Sequence, residues 1–267
     1  KCKHISYSMV ATSKNRLAKV LDNVNYGLLA GDTWRSLDSN FFSLIHNKLQ
    51  KKTIKIKPLK PYPHKKKTIN NAYEHFVTQK HNRGKLIMPC GAGKTLTAFW
   101  IAEKINAKNI IVAVPSLALI RQTLKVWLRE VVAKNIEADW ICVCSDQHVG
   151  SMQRDEFQFL NQDLGVDAKT DVDFITKWLR KRRKGISVVF TTYQSGKVIA
   201  EASRNANRVF DLGIMDEAHK TVGNRDKTFS HLLFEDNIRI RKRIFMTATE
   251  RRFQGKSEQI VSMDNPD

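Results

Sequence analysis

From residue 68 onward the apolar positions fall into blocks of two kinds. Short, nearly continuous apolar runs occur at KLIMPC, NIIVAVP, DWICVCS, ISVVFTTY, DLGIMDEAH and RIFMTAT. Their length suits strands buried on both faces. Between them the apolar residues recur every three or four positions, as in amphipathic helices. TINNAYEHFVTQ precedes the first strand and KTLTAFWIAEKIN follows it. A long helix is expected to open at Ser116, with Leu117, Ile120, Leu124, Trp127, Leu128 and Val131 on one face. DVDFITKWLRKRRK presents Val172, Ile175, Trp178 and Leu179 together, and another short helix follows ISVVFTTY. Residues 146–170 are polar and predict little regular structure. Strands alternating with amphipathic helices predict an α/β fold, a mostly parallel sheet with helices on both faces. Ligands of such sheets bind at the carboxyl ends of the strands.

The first quarter of the chain breaks the alternation. Residues 1–50 hold short helical patterns and loop signals, and read as an accessory segment or the end of an upstream domain. Residues 48–67, KLQKKTIKIKPLKPYPHKKK, contain nine lysines, three prolines and no acidic residue. That composition predicts an extended linker, assigned to 51–67, ahead of a domain at 68–267.

Composition adds a partner class. Apolar residues make up 42% of the chain, too many for a disordered protein. The 46 Lys and Arg exceed the 26 Asp and Glu, a formal charge of +20 that attracts polyanions, nucleic acid above all. The runs RKRRK at 180–184 and RIRKR at 239–243 are expected to be solvated, with any contacts made to a phosphate backbone rather than to base edges. No apolar run is long enough to span a bilayer, and KCKHISYSMVATSKNR lacks the apolar middle of a signal peptide. A soluble, intracellular protein without a membrane partner is expected. Of four cysteines, Cys142 and Cys144 would share one face of a strand, where packing is the expected role.

In MPCGAGKT a strand gives way to a helix. Gly91 and Gly93 would let backbone N–H groups turn inward around phosphate oxygens, and the helix N-terminus adds partial positive charge. Lys94 would reach the β and γ phosphates and the Thr95 hydroxyl would hold Mg²⁺. The full pattern has a glycine six residues before the lysine, where this chain has Met88. At the end of another strand stand Asp216, Glu217 and His219. Adjacent carboxylates there need a cation or a catalytic role. Asp216 would bind the nucleotide's Mg²⁺, and Glu217 would orient and deprotonate the attacking water.

PCGAGKT, PSLALIRQT, TTYQS, MDEAH and MTAT follow in that order, each after an expected strand. They resemble motifs I, Ia, Ib/Ic, II and III of the first RecA-like domain of superfamily 2 helicases and translocases, over about residues 60–250. PSLALIRQT and DEAHKTVG look more like the DNA-directed motors of restriction enzymes and related phage or viral helicases. The resemblance implies a RecA-like P-loop fold, ATP and Mg²⁺ as cofactors, and a nucleotide cradle of Pro89, Cys90, Gly91, Ala92, Gly93, Lys94 and Thr95. It implies that His219 couples this site to Thr247, Ala248 and Thr249. Ser116, Arg121, Gln122, Thr123, Thr191, Thr192 and Tyr193 would track a nucleic-acid strand, DNA more than RNA, although Ser116 also suits a helix N-cap and Tyr193 also suits packing.

Two features depart from the family pattern. Where many relatives have a glutamine that reads adenine, PHKKKTI has Lys65, leaving His64 or Tyr62 to stack on a base. No second RecA-like domain, with its arginine fingers, follows MTATERR. The chain reads as half a motor, a fragment of a longer protein in which a nuclease domain can precede the helicase. The expected function is the ATP-binding motor domain of a DNA helicase or translocase. The rivals are an RNA helicase domain, told apart by which polymer stimulates turnover, and a basic nucleic-acid-binding module with a silent ATPase.

Overall fold

The chain divides into two compact units, Lys1–Ile56 and Lys57–Asp267. The computed structural model describes residues 56–144, 168–220, 223–224, 228–249 and 260–261. The accessory segment 1–50 and most of the polar stretch 146–170 lie outside the described residues.

The apolar runs form strands β1 (Arg83–Ile87), β2 (Asn109–Val114), β3 (Ala138–Val143), β5 (Ile186–Thr192), β6 (Leu212–Met215) and β8 (Arg243–Thr247). A two-residue strand, β4 (Ala168–Lys169), joins them at one edge. The seven pair only in parallel, in the order β1-β8-β6-β2-β5-β3-β4. β7 (Gly223–Asn224) and β9 (Ile260–Val261) make a separate antiparallel pair. The helices are α1 (Pro63–Tyr73), α2 (Lys94–Lys104), α3 (Leu117–Ala133), α4 (Val172–Arg180) and α5 (Gly196–Asn205). No helix among the described residues is long and apolar enough to cross a membrane.

Helices cover both faces because the central strands are apolar on both. Successive side chains of a strand point to opposite faces. Ile110, Val112 and Val114 therefore pack with Phe99 of α2 and Ile120, Leu124 and Trp127 of α3. Ile111 and Ala113, between them, pack with Ile175 and Leu179 of α4 and Ile199 and Ala202 of α5. Cys142 and Cys144, two apart, both belong to the first of these cores, as packing residues should. Burial pushes the Cys142 thiol up to about 12, which keeps it protonated.

Three expectations need correction. The linker assigned to 51–67 does not extend that far, because α1 begins at Pro63, with proline in the first turn, where its fixed φ and missing N–H fit. Lys65 and Ile69 of α1 are buried, and the helix runs into a π-helical turn, Glu74–Thr78. Ahead of it, the Leu59 N–H donates to both carboxylate oxygens of the fully buried Glu130 on α3, each at 3.2 Å. The Lys57 carbonyl accepts from Arg129. Lysine-rich composition concealed this anchoring because one buried acid, distant in sequence, supplies it.

The basic runs are mostly exposed, as expected, and one arginine in each departs from that. Arg183 stacks on Trp178, 3.8 Å from the ring centroid, and pairs with Asp139 at 2.6 Å. Arg243 lies inside β8, where it pairs with Glu235 and donates to the carbonyls of Ile238, Ile240 and Leu232. Burial holds its pKa below the usual arginine value, while the Glu235 contact opposes that shift. Finally, β4 arises inside the stretch expected to be irregular, since two residues beside β3 complete the sheet edge.

Trp127 joins the core to the site: it meets Phe99 and Phe190 edge-on and its indole N–H donates to the Thr95 carbonyl at 3.2 Å. Trp127→Ala should destabilise the fold by about 3–5 kcal/mol. A urea unfolding midpoint measured against the wild type checks this.

Candidate functional site

The sheet order decides which loops meet. β1, β8 and β6 are consecutive, so the segments after them, at 88–93, 247–249 and 216–219, converge on one half of the carboxyl edge. β2 and β5 come next, bringing Ser116 and residues 191–193 to the other half. β6 pairs with both β8 and β2 and sits between the two groups.

The turn after β1 has the shape of a phosphate cradle. Gly91 and Gly93 have φ of +76° and +79°, the left-handed region that glycine adopts without a Cβ penalty. Ala92 N–H closes the turn onto the Pro89 carbonyl at 3.2 Å, and Cys90 is exposed on it. Gly93 caps α2, so the first N–H groups of that helix open into the turn. Lys94 donates from Nζ to the Met88 carbonyl at 3.3 Å, and the Met88 N–H donates to the Thr247 carbonyl at 3.0 Å. Met88, in place of the family's first glycine, is thus a buried continuation of the β1–β8 ladder.

Asp216 is 6% exposed at the end of β6. Its N–H donates to the Ala113 carbonyl at 2.9 Å, and its carbonyl accepts from the Tyr193 hydroxyl at 2.7 Å. Its carboxylate accepts from the Glu217 N–H at 2.9 Å. Burial pushes the Asp216 carboxyl above the usual carboxylate range and the Glu217 charge adds to this. The Glu217 N–H and the Lys94 ammonium act the other way. Lys94, at the start of α2, is thus near enough for its charge to act on Asp216 at the end of β6.

Glu217 has φ of +50°, a strained backbone for a residue with a side chain. Its Oε2 lies 3.3 Å from His219 Nδ1, which is 3.1 Å from Thr247 Oγ1. The Thr247 hydroxyl donates to the Thr249 carbonyl at 2.7 Å and so spends its one proton there. Towards His219 it accepts, so Nδ1 carries a hydrogen, shared between Thr247 and Glu217. His219 thus joins the segment after β6 to that after β8. Ala248 lies between the two threonines of that turn.

The donor set suits Mg²⁺. A hydroxyl at Thr95 and one carboxylate at Asp216 are few protein ligands, as for an ion that keeps waters and phosphate oxygens in its octahedron. No cluster of three or more His, Cys, Asp or Glu capable of holding a metal occurs among the described residues.

The strand-tracking set divides. Ser116, Arg121 and Gln122 are exposed. Ser116 occupies the α3 N-cap but makes no side-chain cap bond, so its capping expectation holds in position only. Thr123, Thr191, Thr192 and Tyr193 are buried. Thr191 Oγ1 donates to the Thr192 carbonyl, Thr192 Oγ1 meets Ser195 Oγ at 2.9 Å, and Tyr193 is fully buried on Asp216. These four side chains are packed inside the protein, so of this set Ser116, Arg121 and Gln122 are the ones that present side chains at the surface. The open alternative for Tyr193, packing, is the one observed.

His64 is exposed and stacked with Tyr62, while Lys65 is buried with Nζ against the phosphate loop: a Cβ at Gly93 would lie 2.7 Å from it. Trp100, next to Lys65, went unnoticed in the sequence. Its place in the apolar run of KTLTAFWIAEK reads simply as core, and no local signal marks its indole N–H, which has no hydrogen-bond partner among the described residues.

Comparison with known proteins agrees with this geometry. Residues 58–252 match the family model described as "Type III restriction enzyme, res subunit". The protein named "Probable helicase A859L" of African swine fever virus is 30% identical over 190 residues, covering 70% of this chain and 19% of that protein. A nuclease-deletion mutant of the Type ISP restriction-modification enzyme LlaGI, solved in complex with a DNA substrate mimic, superposes with TM-score 0.60 at 28% identity. The match covers 78% of this chain and 19% of that one. The ATP-dependent Type ISP enzyme LlaBIII, solved bound to DNA, gives TM-score 0.61 at 28% identity, covering 78% and 15%. The chain spans about a fifth of the length of the viral relatives it matches. The α/β fold is the RecA-like fold of these motors.

Because Asp216 binds its proton more tightly in the folded state than when unfolded, its contribution lowers stability as pH rises above the usual value of 3.8. Asp216→Asn, which keeps the acceptor for the Glu217 N–H, should raise the thermal midpoint at pH 7 by about 2 °C. The gain should shrink as the pH is taken down towards 4. Thermal unfolding at the two pH values checks both signs.

Proposed function

The chain belongs to the family of the type III restriction enzyme res subunit, and from that premise we propose that it is the ATP-binding motor domain of a DNA helicase or translocase. What carries this reading is that the segments after β1 and β6, which bear Lys94 with Thr95 and Asp216 with Glu217, lie on the same half of the carboxyl edge, with the Lys94 charge felt at Asp216. A silent binding module would have no use for a strained Glu217 held by His219.

Lys94 and the N–H groups at the start of α2 bind the β and γ phosphates. Thr95 and Asp216 hold Mg²⁺, which draws off phosphate charge when bound. Glu217, oriented by His219, accepts the proton of the water that attacks the γ phosphate. When Glu217 gains that proton its grip on His219 Nδ1 weakens, and the Thr247–Thr249 turn feels the change through the hydrogen Nδ1 shares. Ser116, Arg121 and Gln122, on the β2 side of Asp216, contact the phosphates of a DNA strand. A second RecA-like domain closes over the nucleotide and supplies the remaining transition-state charge, and a nuclease domain belongs to the larger assembly.

Titration of Mg-ATP into the 267-residue chain, followed by turnover with duplex DNA, single-stranded DNA and RNA, tests the reading. Lys94→Ala should weaken binding about tenfold or more. Turnover by this chain alone should be weak, because the second domain supplies the remaining charge, and Glu217→Gln should bind normally and lose what turnover there is. DNA should stimulate more than RNA. Stimulation by RNA alone would favour the RNA helicase, and binding of DNA without any nucleotide binding would leave only a basic module.

A further inference from the structure

Lys65 stands in the first turn of α1 and is 9% exposed, a charged group almost wholly inside the protein. Its Nζ lies on the phosphate loop: a Cβ added to Gly93 would sit 2.7 Å from it. Glycine is therefore required at 93 on two grounds, its φ of +79° and the room it leaves the ammonium. Rings flank the charge elsewhere, with Nζ 5.7 Å from the centroid of Tyr62 and 5.9 Å from that of Trp100. Among the described residues neither a hydrogen bond nor an ion pair engages it.

Two unfavourable terms meet at that place. An ammonium taken out of water with only ring faces beside it recovers a small part of its hydration through cation–π attraction. It also stands at the N-terminus of α2, where Gly93 is the N-cap and the unpaired N–H groups leave partial positive charge. A lysine has the wrong sign for that end of a helix. Both terms are relieved when an anion enters, because the ammonium and the N–H groups are all donors and accept nothing from one another. Lys94 serves a different part of the turn. Its Nζ donates to the carbonyl of Met88, where the loop begins, whereas Lys65 meets Gly93, where it ends.

We propose that Lys65 is a second phosphate-binding lysine of this loop, supplied by α1, whose charge is compensated only when a polyphosphate is bound. The inference rests on the nucleotide-site reading above and adds one ligand to the phosphates. The interaction needs neither base nor ribose, so a bare polyphosphate should engage it as ATP does.

The test is displacement of a fluorescent ADP analogue from the 267-residue chain by Mg-ATP and by inorganic tripolyphosphate with Mg²⁺. Wild type, Lys94→Ala and two neutral replacements, Lys65→Met and Lys65→Gln, are compared, with a thermal melt of each. Loss of the ammonium should weaken ATP and tripolyphosphate alike, by about tenfold or more. Without ligand a Lys65 variant should melt no lower than the wild type, since it removes a charge that has no acceptor. Unchanged tripolyphosphate affinity in a folded Lys65 variant overturns the inference. So does a loss confined to ATP, which would move the ammonium away from the phosphates. Failure of both replacements to fold makes the lysine part of the scaffold and overturns it as well. In each of these cases weaker binding by Lys94→Ala leaves the nucleotide site standing. A wild type that binds neither ligand removes the site and the inference together.

Discussion

The position of one carboxylate, Asp216, constrains much of the rest. A charged group at 6% exposure is unfavourable in the empty fold, so the surrounding structure has to hold it in place. Its N–H is committed to Ala113 of the neighbouring strand and its carbonyl to the hydroxyl of Tyr193 from the strand beyond. Those bonds exist only if β6 lies beside β2 and β2 beside β5. The left-handed backbone of Glu217 follows from the same fixation: with residue 216 pinned on three sides, the chain turns sharply to bring Glu217 and His219 to the Thr247 side.

The sheet and its motifs were legible in the sequence for a simple reason. Strands such as NIIVAVP are nearly continuous apolar runs because both faces are covered, and their shortness and β-branched residues set them apart from a buried helix. The phosphate loop and the Asp216–Glu217 pair were legible because their chemistry demands particular residues at fixed spacing. What escaped was decided by partners far away in the chain. Thr191, Thr192 and Tyr193 look available in a loop after a strand, yet the two threonines lie in β5 between β2 and β3, and the Tyr193 hydroxyl is held by the Asp216 carbonyl. The lysines and prolines of residues 57–67 have the composition of a linker, yet Glu130 fastens Leu59 and Pro63 starts a helix. The run RKRRK looks solvated, yet Trp178 and Asp139 draw Arg183 inward.

The same distinction bears on the charge. A net +20 remains a long-range field that gathers polyanions. Arg183 and Arg243 nevertheless spend their guanidinium groups on internal carbonyls, rings and carboxylates. These arginines hold the scaffold. Contact with a strand falls to exposed groups such as Ser116 and Gln122 at the carboxyl edge, where the position of a side chain matters more than total charge.

The place of β1 has a consequence for how the molecule is made. β1 sits at the edge of the sheet and pairs only with β8, residue 83 against residue 243. A ribosome delivers the phosphate loop well before its supporting strand. In that interval the segment from Arg83 to Met88 is a strand without its ladder partner, the kind of unpaired edge from which aggregates are seeded. Nucleotide therefore has no formed site to grip on the nascent chain until Thr247 has emerged. A message cut short before that codon would yield a sheet missing both strands of one edge, with the phosphate loop attached to nothing.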